Sequence, residues 1–110
     1  MKELKLSLDV GGINIGEEDK KKNPSEIVTT VIKNVCLTWA QSKRGMAGED
    51  RKLYYKMCDV FDVAVKEKAD SVSLDDNVIG FIRKAFREAT LVPDVLLRKI
   101  EDLVDAIKDR

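Results

Sequence analysis

The sequence predicts an α+β fold that is predominantly helical, with about four amphipathic helices and a small two- or three-stranded antiparallel sheet. Three observations carry that prediction. Apolar and polar residues alternate through Leu4, Leu6, Leu8 and Val10, as a half-buried strand requires. Four later segments repeat apolar residues at helical spacing. A second alternation, Ser71-Val72-Ser73-Leu74, stands between two of those segments and can pair with the first strand. The 110 residues leave room for one domain, read as a β segment over 1–15, a polar loop over 16–23, and a helical core over 24–110 with a short strand near 71–74.

Each element has a local reason. Gly11-Gly12 accepts the positive φ of a hairpin turn, so the chain can return through Ile13 and Ile15. Glu17-Glu18-Asp19-Lys20-Lys21-Lys22 reads as a solvated loop. Asn23-Pro24-Ser25-Glu26 then starts a helix, with Asn23 as cap, Pro24 at the first helical position and Glu26 at the third. Its stripe is Ile27, Val28, Val31, Ile32, Val35 and Trp39, with Lys43 and Arg44 in the last turn and Gly45 as the stop. The second helix is expected to start near Gly48, where Glu49 and Asp50 suit the positive end of the helix dipole. It should bury Leu53, Tyr54, Met57, Phe61 and Ala64 and pair Lys66 with Asp62.

Asp75 or Asp76 is expected to cap the third helix, whose stripe is Val78, Ile79, Ile82, Ala85, Phe86 and Ala89. Pro93 is expected to open the fourth helix, with an apolar face of Leu96, Leu97, Ile100, Leu103, Val104 and Ile107. Leu6, Leu8, Ile32, Phe61, Ile82 and Ile100 are the predicted centre of the core.

The chemistry is narrowed mainly by exclusion. The sequence contains no histidine, which removes the imidazole base, the Ser-His-Asp triad and His-containing zinc sites. Gly11-Gly12-Ile13-Asn14-Ile15-Gly16 and Gly45-Met46-Ala47-Gly48 lack the spacing of a dinucleotide fingerprint and the Gly-Lys-Ser/Thr ending of a P-loop. Asp75-Asp76 has no further carboxylates at calcium-loop spacing. Cys36 and Cys58 lie in apolar helical stretches and read as buried, reduced core residues. The expectation is a protein that is not an enzyme, with no metal and no cofactor.

Twenty basic and twenty acidic side chains cancel, so the chain has no net field to recruit nucleic acid or an anionic membrane. No segment approaches the ~18 consecutive apolar residues of a membrane span, and no apolar run marks a signal peptide; the expected location is the cytoplasm. Arg83, Lys84 and Arg87 form the one cluster on which a phosphate contact can be argued. Trp39 and Tyr55 are the aromatic candidates for binding a partner, since Trp and Tyr combine large contact area with little entropy loss, although the core is the favoured place for Trp39.

The succession of the short alternating strand, the polar loop, the capped Asn23-Pro24-Ser25-Glu26-Ile27 helix, the Gly48-to-Lys56 block, the Val72-Ser73-Leu74-Asp75-Asp76 segment and the Ile79-to-Lys84 helix resembles small phage- and prophage-encoded proteins. The resemblance spans most of the chain but carries no catalytic residue. Helix four, with Arg98, Lys99, Glu101, Asp102 and Asp105 outside, departs from it. The resulting expectation is a noncatalytic accessory, assembly or host-inhibitor protein that binds another protein. A homodimer through helix four, Trp39 or Tyr55 is the second partner expected, because four apolar stripes exceed the interior that 110 residues provide. A small regulatory nucleic-acid binder is the alternative, and a small enzyme the third.

Overall fold

In the computed structural model, which describes residues 2–6 and 24–109, the two alternating segments pair as expected. Strand β1 (Lys2–Lys5) runs antiparallel to β2 (Ser71–Leu74), with Leu4 opposite Val72. Their alternation sends Leu4, Val72 and Leu74 into the core, while Glu3, Ser71 and Ser73 remain only partly buried. On that outer face the Ser71 hydroxyl donates to Glu3 Oε2 at 3.2 Å.

A third strand, β3 (Lys108–Asp109), pairs with the other side of β1 and completes an antiparallel sheet of order β2-β1-β3. The spacing of Ile107 with Leu103 and Val104 suggests one continuous helix, yet that helix ends at Asp105 and the chain turns at Ala106. Ile107 stays buried, now as the step into β3. A two-residue strand is too short to leave an alternation in sequence. Leu8, Val10, the Gly11-Gly12 hairpin, the 16–23 loop and the Asn23 cap lie outside the described residues.

Four helices follow the four stripes: α1 (Pro24–Ser42), α2 (Gly48–Lys66), α3 (Asp76–Glu88) and α4 (Val95–Asp105). Buried apolar residues from all four, together with those of β1 and β2, form one cluster. Leu6, Ile32, Phe61, Ile82 and Ile100 are fully enclosed within it. In α2 the stripe is narrower than its spacing suggests: Met57, Phe61 and Ala64 are buried, whereas Leu53 and Tyr54 only pack against the margin. Asp62 pairs with Lys33 of α1 at 2.7 Å, in place of the pairing expected with Lys66.

The helix ends correct several details. Helix α1 stops at Ser42, so Lys43 and Arg44 follow its last turn. The Gly45 N–H donates to the Ala40 carbonyl at 2.7 Å and the Arg44 N–H to that of Gln41 at 3.2 Å, the two bonds of a Schellman ending. Its left-handed position belongs to Arg44, at φ 61°, and Gly45 follows at φ 120°. Helix α2 closes the same way, with Lys68 left-handed at φ 54° and the Ala69 N–H on the Ala64 carbonyl at 2.9 Å. Asp75 precedes α3 but its carboxylate makes no cap bond; it reaches sideways to the Lys56 ammonium and ties α2 to the start of α3. At α4 the cap is Asp94, whose carboxylate accepts from the Leu97 N–H at 2.6 Å, and Pro93 stands one residue ahead of it.

Candidate functional site

Trp39 lies toward the end of α1 and contacts the edge of the Phe81 ring, with centroids 5.6 Å apart and planes at 67°. The Lys43 ammonium lies 4.1 Å from the Trp39 centroid and that of Lys84 lies 5.7 Å away. Only 2% of Trp39 reaches solvent. Its side chain is therefore core, roofed by cations, and it offers a partner almost no surface. Phe81 was missed by the stripe drawn through Val78, Ile79 and Ile82, although Val78, Phe81 and Ala85 also recur at i, i+3 and i+7.

Tyr55 is 61% exposed and leans edge-on against Tyr54, centroids 6.1 Å apart. Tyr54 connects this surface to a pair of thiols. Cys36 is enclosed and Cys58 half-buried, both unbridged, so the expectation of two fully buried cysteines holds only for Cys36. Burial pushes the Cys36 thiol up to about 12, helped by the neighbouring Cys58. Burial, then hydrogen bonding to Cys58, pushes the Tyr54 hydroxyl up to about 12 as well. A thiol held protonated is a poor nucleophile, so Cys36 is packing material.

The basic cluster separates in space. The Arg83 guanidinium donates to the Ile107 carbonyl at 3.2 Å and so anchors the approach to β3. Arg83 and Arg87 line a cleft of about 340 Å³ whose lining also includes Phe86, Glu101 and Asp105. Lys84 belongs instead to the Trp39 side. The three cations that are neighbours in sequence thus do not present one positive face.

A more open apolar groove, of about 410 Å³, runs between α2 and β2. Val60, Val63 and Ala64 form its helical wall, and Ala69 and Val72 line it on the strand side. Val63 is 55% exposed there, and the charged residues on the lining are Asp59 and Glu67. Spacing could have located this wall, since Val60, Val63, Ala64 and Glu67 recur at i, i+3, i+4 and i+7, but only the placement of β2 turns it into a groove.

Among the described residues, no group of three or more His, Cys, Asp or Glu side chains is placed to hold a metal ion, and no helix is long and apolar enough to cross a membrane. No family model, no curated protein and no solved structure matches this chain.

Proposed function

We propose that the protein is a noncatalytic binding protein, an accessory, assembly or host-inhibitor factor of phage or prophage origin that acts on another protein in the host cytoplasm. The observation that carries this reading is the apolar surface left uncovered on α2, where Val63 is more than half exposed in the lining of an open groove and Tyr55 is more than half exposed two turns earlier. Fully burying a large apolar side chain contributes roughly 1.5–3 kcal/mol, and side chains left about half exposed forgo about half of it. Large exposed aromatics are also enriched among the residues that dominate binding energy. The nucleic-acid alternative draws less support from a cleft in which Arg83 and Arg87 share the lining with Glu101 and Asp105. For the homodimer expected through helix four, Ile100 and Val104 are buried in the chain's own core while Val95 stays 59% exposed.

Affinity capture from the native host, followed by reconstitution with the purified captured protein, tests the reading. A defined complex by sedimentation that protects α2 from hydrogen exchange is the expected result. Failure to reconstitute any complex, or tight salt-dependent binding of nucleic acid by the unmodified protein, overturns it.

A further inference from the structure

Strand β2 forms one margin of the sheet, with β1 on one side and no strand on the other among the described residues. The Leu6 N–H donates to the Asp70 carbonyl at 2.7 Å, which sets the phase of the antiparallel ladder. Leu6 and Asp70 thus occupy a hydrogen-bonded position, and by alternation so do Leu4 with Val72 and Lys2 with Leu74. Ser71 and Ser73 therefore turn their N–H and C=O groups toward the open margin. Edge strands are commonly blunted by Lys, Pro or a bulge, and Ser71-Val72-Ser73-Leu74 has none of these.

The groove beside this margin adds side-chain chemistry to the backbone edge. Val60, Val63 and Ala64 face it from the helix, and Asp59 and Glu67, both exposed, give its lining two negative charges and no positive one. We propose that the β2 margin and the α2 wall together take up an extended segment of another protein as an added strand, with β-branched residues against Val60 and Val63 and a basic residue toward each end. This rests on the protein-binding reading above and names the chemistry of the partner. An extended backbone is the conformation that satisfies a row of outward N–H and C=O groups, and alternate side chains then meet the apolar wall. The acidic lining selects cations at the flanks. A second copy is the weaker occupant, because pairing β2 with itself across a two-fold axis brings the Asp59 and Glu67 carboxylates of one α2 toward those of the other.

The test uses a fluorescein-labelled Arg-Val-Thr-Val-Thr-Val-Arg peptide and its counterpart with Glu at both ends, titrated with the full chain and followed by anisotropy. The Arg-flanked peptide is expected to bind saturably and about tenfold or more tighter than the Glu-flanked one. Ser73→Pro removes an outward N–H while sparing the ladder to β1, and Val63→Asp places in the groove a carboxylate that a bound strand would have to cover; each should weaken binding about tenfold. The double variant Asp59→Lys/Glu67→Lys changes only exposed side chains and should reverse the preference between the peptides, which keeps the test decisive if Ser73→Pro does not fold. Absence of saturable binding by the Arg-flanked peptide, or binding indifferent to the charge reversal, overturns the proposal. A concentration-dependent dimer abolished by the charge reversal or by Ser73→Pro assigns the margin to a second copy and overturns it too. If a captured host protein binds the wild type and these variants equally, the strand-addition proposal falls while the protein-binding reading stands; if no host protein is captured, that reading falls whatever the peptide does.

Discussion

Helices α1 and α2 have the same length, 19 residues each, yet α1 buries nine of them and α2 only three. The difference lies in the width of the apolar arc. In α1 the pairs Ile27-Val28, Val31-Ile32, Val35-Cys36 and Trp39-Ala40 return every four residues, so the arc is broad enough to meet α2, α3 and α4 together. In α2 the enclosed residues Met57, Phe61 and Ala64 form a narrow stripe, and Tyr55 and Val63 fall outside it. Position in the fold follows: α1 is the central helix, whereas α2 is a flank held at α1, α3 and β2 with an apolar remainder on its outer side. A helix with a narrow buried stripe and two large apolar side chains among the charges of its outer side has contact area to offer a partner.

The largest test of this contrast is Phe61→Ala. Phe61 is fully enclosed and is the bulkiest anchor of α2, so its loss should cost ~3–5 kcal/mol in a urea melt, most of a small domain's stability. A shift below about 1 kcal/mol would break the contrast, since α2 would then be fastened by something other than its stripe.

A second effect appears only in alkali and reports on α1. The folded Cys36 thiol is raised to about 12, above the ordinary thiol range, so the unfolded chain releases that proton first. Its contribution to stability is complete below roughly pH 8.5 and is lost as pH rises toward about 12. Melts of Cys36→Ala should therefore show a shallower alkaline decline than the wild type; equal slopes would place Cys36 nearer solvent than the structure does.

Smaller again is the gain expected where α2 ends. Lys68 occupies a left-handed conformation without an ordinary reason for a side chain to be there, so Lys68→Gly should stabilise by about 1 kcal/mol, read as a raised midpoint. Loss of stability would show that the turn depends on the lysine side chain. The smallest effect sharpens the contrast most: Val63→Asp should leave stability within about 0.5 kcal/mol, because its side chain is mostly in solvent when the chain is alone. A large loss would mean that the outer face of α2 belongs to the core after all.

The positions of the elements were legible because each has a period that survives its neighbours. The stripes of α1 and α3, the alternation of β1 and β2 and the glycine near Gly48 mark them with no knowledge of contacts. Helix ends were less legible. Gly45 signals a stop, but the left-handed residue is Arg44, because the two Schellman bonds choose the position by geometry and tolerate a strained side chain. Asp75 stands where a cap belongs, yet Lys56, remote in sequence, takes its carboxylate. Of the candidate site, Tyr55 was legible as an aromatic suited to partner contact, whereas the groove between α2 and β2 was not, since a groove needs two walls and its walls are a helix and a strand.

By itself, the sequence determined the class of fold, the pairing of the Leu4 strand with the Val72 strand, and the residues at the centre of the core, because periodicity dictates which side of an element avoids water. Only the tertiary structure decided that Trp39 is enclosed under Lys43 and Lys84, that Arg83 holds the Ile107 carbonyl, and that β2 lies at the margin of the sheet. Those outcomes depend on which elements become neighbours. Neighbourhood is set by how all the apolar faces are covered at once, and no single segment carries that information.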